Sequence, residues 1–457
     1  MRSRLKRYRI ENLAWPIRLR TWVAPAGLGL LLSLGLLVLS GCTAQDFVIK
    51  TPTPSAANST ANRAATPEAT KSTAPAPSQT AAGANRLLVI SEEGNLFTVN
   101  PEGGERLDLT KDAGLTLTYL QPTWSPTGDQ IGWTQIEKKA DETISTLITS
   151  HADGSARQSF KVPFPPFYLN WSPDGAQLAY LSNWVDAAQQ TIALRLVKVA
   201  TGDAEIATLG TGQPLYFSWS PDSKQLLTHV DNQRTALLGL DGTEKVIADQ
   251  SANFATPQWA VANGKLLYEQ EKDGQPQLVI ADASTAVTQV VTYVKTETML
   301  NFSLSPKGDQ VAYTETDNQV GLNSLGPLFV FDLAKNEFQQ LTTDPVVAFF
   351  WSPDSHALLF MTPEIEGRQL WLQLQVWDGQ TTRKLSRFMP SALFVQQYLP
   401  FADQYAQSIR VWSPDSQAVV FAGQTEDEKT GVWVQAIDGK SAAKHITDGL
   451  FATWSPR

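Results

Sequence analysis

Asp174, Asp222, Asp354 and Asp415 recur at one phase of a repeated phrase, and a shared phase would gather them as a ring of carboxylates. Each, however, follows Ser-Pro in a short turn, where aspartate is favoured because it accepts hydrogen bonds from its own backbone. The turn role is the one the sequence predicts. The four histidines, His151, His229, His356 and His445, are scattered, with His356 in such a turn and His229 and His445 in expected strands. No His-x-x-x-His, Cys-x-x-Cys or calcium-loop pattern occurs, so no dedicated metal site is expected. Gly-x-Ser-x-Gly is absent, and Gly103-Gly104 reads as a turn without a phosphate-cradling motif. Composition and spacing therefore predict no catalytic residues and no cofactor.

The one cysteine, Cys42, is the exception. Arg2, Arg4, Lys6, Arg7, Arg9, Arg18 and Arg20 precede an apolar run from Ala24 to Leu39, which ends in Leu-Ser-Gly-Cys. This resembles a bacterial lipoprotein signal, with residues 1–41 removed and Cys42 lipidated. An uncleaved membrane anchor is the competing reading, weakened by Pro25 and several glycines in the apolar run. Either way the bulk of the chain is expected on the extracytoplasmic face of a cell membrane or outer membrane.

The 457 residues carry 36 Lys and Arg against 45 Asp and Glu. Removing the seven basic residues and one acid of the signal leaves a net charge of −15. That balance argues against nucleic acid as a partner. Without a second cysteine no intrachain disulfide can form, so the fold rests on packing. Residues 42–85 form a tether: between 51 and 84, 27 of 34 residues are Ala, Thr, Pro or Ser, too little apolar surface to offset ordering.

From Arg86 onward one phrase returns: WSPTGDQIGW from Trp124, WSPDGAQLAY from Trp171, WSPDSKQLLT from Trp219, WSPDSHALLF from Trp351 and WSPDSQAVVF from Trp412. Two copies have drifted, at Trp259 and at Leu304, and a truncated WSPR begins at Trp454. Successive starts lie 47, 48, 40, 45, 47, 61 and 42 residues apart. A period in the forties built of short strands marks a β-propeller. Ser-Pro-Asp-Gly suits a type I turn joining strand a to strand b, with the Trp wedged between neighbouring blades. A buried Trp removes roughly 200 Å² from water, worth about 5 kcal/mol before entropy is counted.

Residues 86–110 read as strands b, c and d lacking an a, and Leu450–Pro456 as an a lacking the rest. Paired, they would make one composite blade, close the ring and remove two exposed edges. The fold class is thus all-β, an eight-bladed propeller over 86–457, with seven blades as the fallback. Five near-intact and three degenerate copies of the phrase resemble the TolB-type propeller repeat, a relative of the WD repeats.

That resemblance implies a protein-binding scaffold of the cell envelope, of the kind that serves a transport or export system. Such a protein would be a monomer bound to an envelope protein and held at the membrane by lipid on Cys42. The rival class is a propeller enzyme or carbohydrate-binding protein acting on an extracellular polymer; the scarcity of histidine counts against it.

The 61-residue spacing carries about 14 extra residues, around 388–408, between a strand d and the next strand a. The resemblance implies that such connections line the ligand-binding face. With Phe388, Phe394, Tyr398, Phe401 and Tyr405 this segment is too aromatic for a solvated loop. Docking a partner through Phe394, Tyr398, Phe401 and Tyr405, or plugging the channel, are its two expected roles.

Overall fold

A computed structural model describes residues 84–457, except 187–188, 203–205, 252–255, 284–286, 296–297 and 317–324. Cys42, the signal-like segment 1–41 and the tether up to residue 83 lie outside the described residues. The described chain is an all-β, propeller-like fold of consecutive antiparallel sheets. One sheet shows the unit: Pro166–Trp171, Gln177–Asp186, Gln189–Lys198 and Ile206–Gly212 pair in that order, each with the next.

The repeated phrase ends an inner strand and makes the turn after it, as its residues demand. Ser172 Oγ donates to Asp174 Oδ1 at 2.5 Å, and Gly175 N–H donates to the Ser172 carbonyl at 2.8 Å. The fourth turn residue has positive φ: Gly175 at 69°, but also Ser223 at 60°, Ser355 at 62° and Ser416 at 61°. Serine tolerates that strain here because its hydroxyl binds the preceding unit. Ser223, Ser355 and Ser416 Oγ accept from the backbone N–H of Asp174, Lys307 and Asp354 at 3.1, 3.0 and 3.3 Å. The motif aspartates are thus engaged in their turns. Ser220 Oγ, donating to the Asp222 carboxylate, holds that group below the usual carboxylate range.

The motif tryptophans are buried between sheets, as their positions predict. Trp219, Trp351 and Trp412 donate their indole N–H to the inner strand of the preceding unit, at Asn170 O (3.1 Å), Ser303 O (3.1 Å) and Phe350 O (2.9 Å). Apolar clusters straddle neighbouring sheets: Phe160 and Val162 of one pack with Leu169, Trp171 and Tyr180 of the next. Both drifted copies still end inner strands, Gln258–Trp259 and Met299–Leu304.

The first and last strands among the described residues meet. Phe451–Trp454 pairs antiparallel with Leu87–Ile90, from Leu87 opposite Trp454 to Ile90 opposite Phe451. Ser455 N–H donates to Arg86 O at 2.8 Å, and Arg86 N–H to Ser455 Oγ at 2.9 Å. The intact motif has the same two bonds, from Ser172 to Gln177 O (2.9 Å) and from Gln177 to Ser172 Oγ (3.0 Å). The chain break therefore falls inside an ordinary a–b turn.

One departure was not expected. Thr382–Pro390, the outer strand of its unit, runs on to pair with Ala418–Gln424 through Met389–Gln424 and Pro390–Gly423, merging two units into a seven-stranded sheet. Gly423 permits this approach, since a Cβ there would overlap the Met389 carbonyl. The inner strand of the last unit is correspondingly reduced to a bridge between Trp412 and Val419.

Candidate functional site

The extra residues after Pro390 fold as a compact helical insertion. Ser391 starts it: its Oγ accepts from Phe394 N–H at 3.1 Å and donates to Leu450 O at 2.6 Å. Pro400 has no N–H to donate and would crowd the carbonyl four residues back. The chain answers with a wide π-turn over Phe394–Tyr398, a 3₁₀ turn over Leu399–Phe401 and a last α-turn, Ala402–Tyr405.

The insertion is bound to the inner strands of several sheets. The Tyr398 ring stacks on Phe451 (4.3 Å between centroids) and meets Tyr405 edge-on at 4.8 Å; Tyr405 meets Tyr168 at 5.4 Å. Tyr405 OH donates to Phe167 O at 2.5 Å, and Tyr168 OH to Gln404 O at 3.1 Å. Gln404 Nε2 donates to Phe217 O at 3.2 Å, and Thr123 Oγ1 to Ser408 O at 3.0 Å. Contacts to the strands around Phe451, Thr123, Phe167 and Phe217 put residues 391–410 among inner strands of four sheets. This is the geometry of a plug.

The four aromatic residues singled out in the sequence divide accordingly. Tyr398 (3% exposed) and Tyr405 (7%) are buried in the plug, so a partner cannot touch them in this conformation. The physical reason is that their rings fill the space between strands 166–171 and 451–454. Phe401 is 40% exposed and faces outward from the buried pair, whereas Phe394 is half-buried and packs against the apolar core. Phe388, at the edge of the same run, belongs to strand Thr382–Pro390 and packs on Phe421 at 4.7 Å.

Sequence reasoning passed over the polar residues of this region. Burial raises the phenol pKa of Tyr168, Tyr398 and Tyr405 above the ordinary value. Burial likewise raises the Asp403 carboxyl. Glu269, buried in strand Lys265–Lys272, is pushed up to about 8, by burial first and by the charge of Asp403 second. Arg410, where the insertion rejoins the sheets, is drawn down to about 10 by burial. In the sequence Glu269 and Asp403 look like ordinary surface acids, and no local signal marks them.

The histidines do not converge. His151 Nδ1 lies 3.2 Å from Ser155 Oγ, His229 Nε2 3.1 Å from Ser251 Oγ, and His445 packs edge-on against Trp433. Among the described residues no group of three or more His, Cys, Asp or Glu is placed to hold a metal ion. A shallow groove of about 530 Å³ lies on the merged sheet, beside Lys384, Gln435 and Ser441. Arg387, which lines it, is bound to Glu364 (3.2 Å), Glu426 (2.7 Å) and Glu366, so its guanidinium is already taken.

A family model described as the TolB beta propeller domain matches residues 136–392. TolB from Acinetobacter baumannii is a similar solved structure, with 17% identity over 71% of this chain and 82% of its own and a TM-score of 0.37. A prolyl endopeptidase shares 11% identity over 74% of this chain and 50% of its own, TM-score 0.50. An oligogalacturonate lyase in complex with manganese shares 12% over 78% and 98%, TM-score 0.46. Likenesses at such identities concern the fold alone. No curated protein matches the chain.

Proposed function

Since the chain belongs to the TolB beta propeller domain family, we propose that it is an extracytoplasmic, lipid-anchored binding protein, docking an envelope protein on the outward face of its plug. The observation that carries this reading is the placement of Phe401. A large aromatic side chain, 40% exposed, stands on a base held rigid by Tyr398 and Tyr405. Pre-ordered aromatic anchors of this kind contribute most of the energy in protein interfaces, because little entropy is lost when they are covered.

The platform is an eight-bladed propeller closed into a ring. Six four-stranded sheets and one seven-stranded sheet formed from two units support eight blades, and the split turn at Ser455 and Arg86 supports the closure. The role is binding rather than catalysis, in keeping with motif aspartates spent on their own turns. The basic and apolar leader ending at Cys42 supports a lipid anchor, and the acidic remainder favours a protein partner over nucleic acid. The propeller acts as a monomer, and its place in a transport or export system rests on the family alone.

The test couples anchor and anchor-point. Wild type, Cys42→Ser and Phe401→Ser are expressed in a bacterial host and cross-linked in intact envelopes. Cys42→Ser is expected in the aqueous rather than the detergent phase of a Triton X-114 partition. Phe401→Ser is expected to stay in the detergent phase, keep its melting temperature and lose about 30-fold in retention of the cross-linked protein, the effect of a hot-spot side chain worth about 2 kcal/mol. Unchanged retention by Phe401→Ser would remove the plug as the docking face.

A further inference from the structure

We propose that Arg195 and Tyr180 form the floor of a carboxylate-binding site in the cleft between two neighbouring sheets, with Trp184 and Phe164 as its cover. The site is independent of what docks on the plug.

Strand register places these groups on one face. Arg195 stands directly opposite Tyr180 where Gln177–Asp186 pairs with Gln189–Lys198. Ser182 and Trp184 follow Tyr180 at steps of two, so all four side chains leave the same side of the sheet. That side packs on the preceding sheet, whose Phe160 and Val162 share an apolar cluster with Tyr180. The Arg195 side chain is 1% exposed, and its Nη1 donates to Ser182 Oγ. Its guanidinium lies 4.8 Å from the centre of the Trp184 ring and 6.0 Å from that of Phe164. Phe164 comes from the connection between the two sheets and meets Trp184 edge-on at 6.2 Å. Both rings are only half-buried, so they close the cleft on its solvent side.

Among the described residues no carboxylate pairs with this guanidinium. Its Nη2 has no hydrogen-bond partner, and neither has the hydroxyl of Tyr180, a residue that is fully buried. Burial accordingly draws Arg195 down and the Tyr180 phenol up from their ordinary values. A buried cation is costly without a counter-charge, and two ring faces with one hydroxyl offset only part of that cost. Both orphaned groups can donate, and they stand side by side across one strand pair. A carboxylate has one oxygen for Nη2, a second for the phenol, and the negative charge that the cation needs. Water accepts the same bonds but leaves the charge uncompensated. The aromatic cover favours a carboxylate on an alkyl or peptide group over phosphate, whose remaining oxygens would be pressed against ring faces.

Thermal unfolding of the full-length protein at constant ionic strength tests the site. The probes are acetate as a free carboxylate, a blocked Ala-Glu-Ala tripeptide as a protein carboxylate, and chloride as the control anion. Acetate is expected to raise the melting temperature in a saturable way that chloride does not reproduce. Arg195→Met is expected to lose that response and, without carboxylate, to melt no lower than the wild type, since an apolar chain of similar length replaces a buried charge. Tyr180→Phe should keep the fold and weaken acetate about tenfold, the usual effect of one hydrogen bond to a charged acceptor. A response to acetate alone assigns the site to a free acid, and a response to the tripeptide as well assigns it to a protein carboxylate. Indistinguishable acetate and chloride curves would overturn the proposal and leave Arg195 satisfied by buried water only. An acetate response retained by Arg195→Met would overturn it too. If Arg195→Met does not fold, an acetate affinity unchanged in Tyr180→Phe is decisive against the site.

Discussion

Deleting Phe451–Arg457 is expected to abolish cooperative unfolding of the sheet domain. Phe451 and Trp454 are each 2% exposed, and their removal uncovers Leu87, Leu88 and Val89, all fully buried in the intact protein. Trp454→Ala alone should cost about 4 kcal/mol, the usual penalty for emptying a buried aromatic site. That site also loses the indole bond to Asn85 Oδ1 at 2.9 Å. The full deletion adds the loss of an entire ladder, and a domain whose net stability is about 5–15 kcal/mol does not survive both. Chemical denaturation followed by tryptophan fluorescence reads the effect, and sedimentation would report association through the bared strand Leu87–Ile90.

The same geometry predicts a rescue. Moving residues 448–457 to precede Ala84 gives Trp-Ser-Pro-Arg-Ala-Asn-Arg-Leu, the spacing of Trp171 to Leu178. Such a permuted chain should fold with near wild-type stability, because the two bonds between Ser455 and Arg86 already have the form of an unbroken turn. A permuted chain no more stable than the deletion would show that the two ends are not equivalent to a motif turn.

The second large effect is at Tyr405. Its ring lies between Tyr398 and Tyr168, and its hydroxyl is bonded to Phe167 O. Tyr405→Ala should cost about 3–5 kcal/mol. Tyr405→Phe, which leaves the ring and strands one carbonyl, should cost about 1 kcal/mol. Equilibrium unfolding in urea separates the two. If Tyr405→Ala proves as mild as Tyr405→Phe, the plug is not packed as described. The contrast with Phe401→Ser is informative, since Tyr405 holds the insertion in place while Phe401, four positions earlier, faces outward from it.

How much of this could be read from the chain follows from where each interaction lies. The repeated phrase was legible because the copies from Trp171, Trp219, Trp351 and Trp412 contain both halves of their own turn, the hydroxyl and carboxylate that bond and the glycine or serine that takes positive φ. The pairing of the two ends was legible because the repeat itself was left incomplete at Trp454. The plug was half legible: its aromatic content marked Tyr398 and Tyr405 as something other than solvated, while their burial depends on Phe451 and Tyr168, far away in sequence. Glu269 and Asp403 were not legible at all. Glu269 follows Leu266-Leu267-Tyr268 and Asp403 lies between Ala402 and Gln404, and nothing in either stretch tells how deeply its carboxyl will lie. The merged sheet was equally hidden, because it needs a bare backbone at Gly423 opposite the end of a strand some thirty residues earlier.

Leu87–Ile90 is bonded along both edges, to Leu96–Val99 on one side and to Phe451–Trp454 on the other. A force arriving through Asn85 from the N-terminal side therefore cannot peel that strand away one bond at a time. It loads two ladders together in shear, and the bonds between Arg86 and Ser455 clamp the point where the tension enters. Whatever tugs on this molecule from its leading end, the seam between Leu87–Ile90 and Phe451–Trp454 is built to resist tearing.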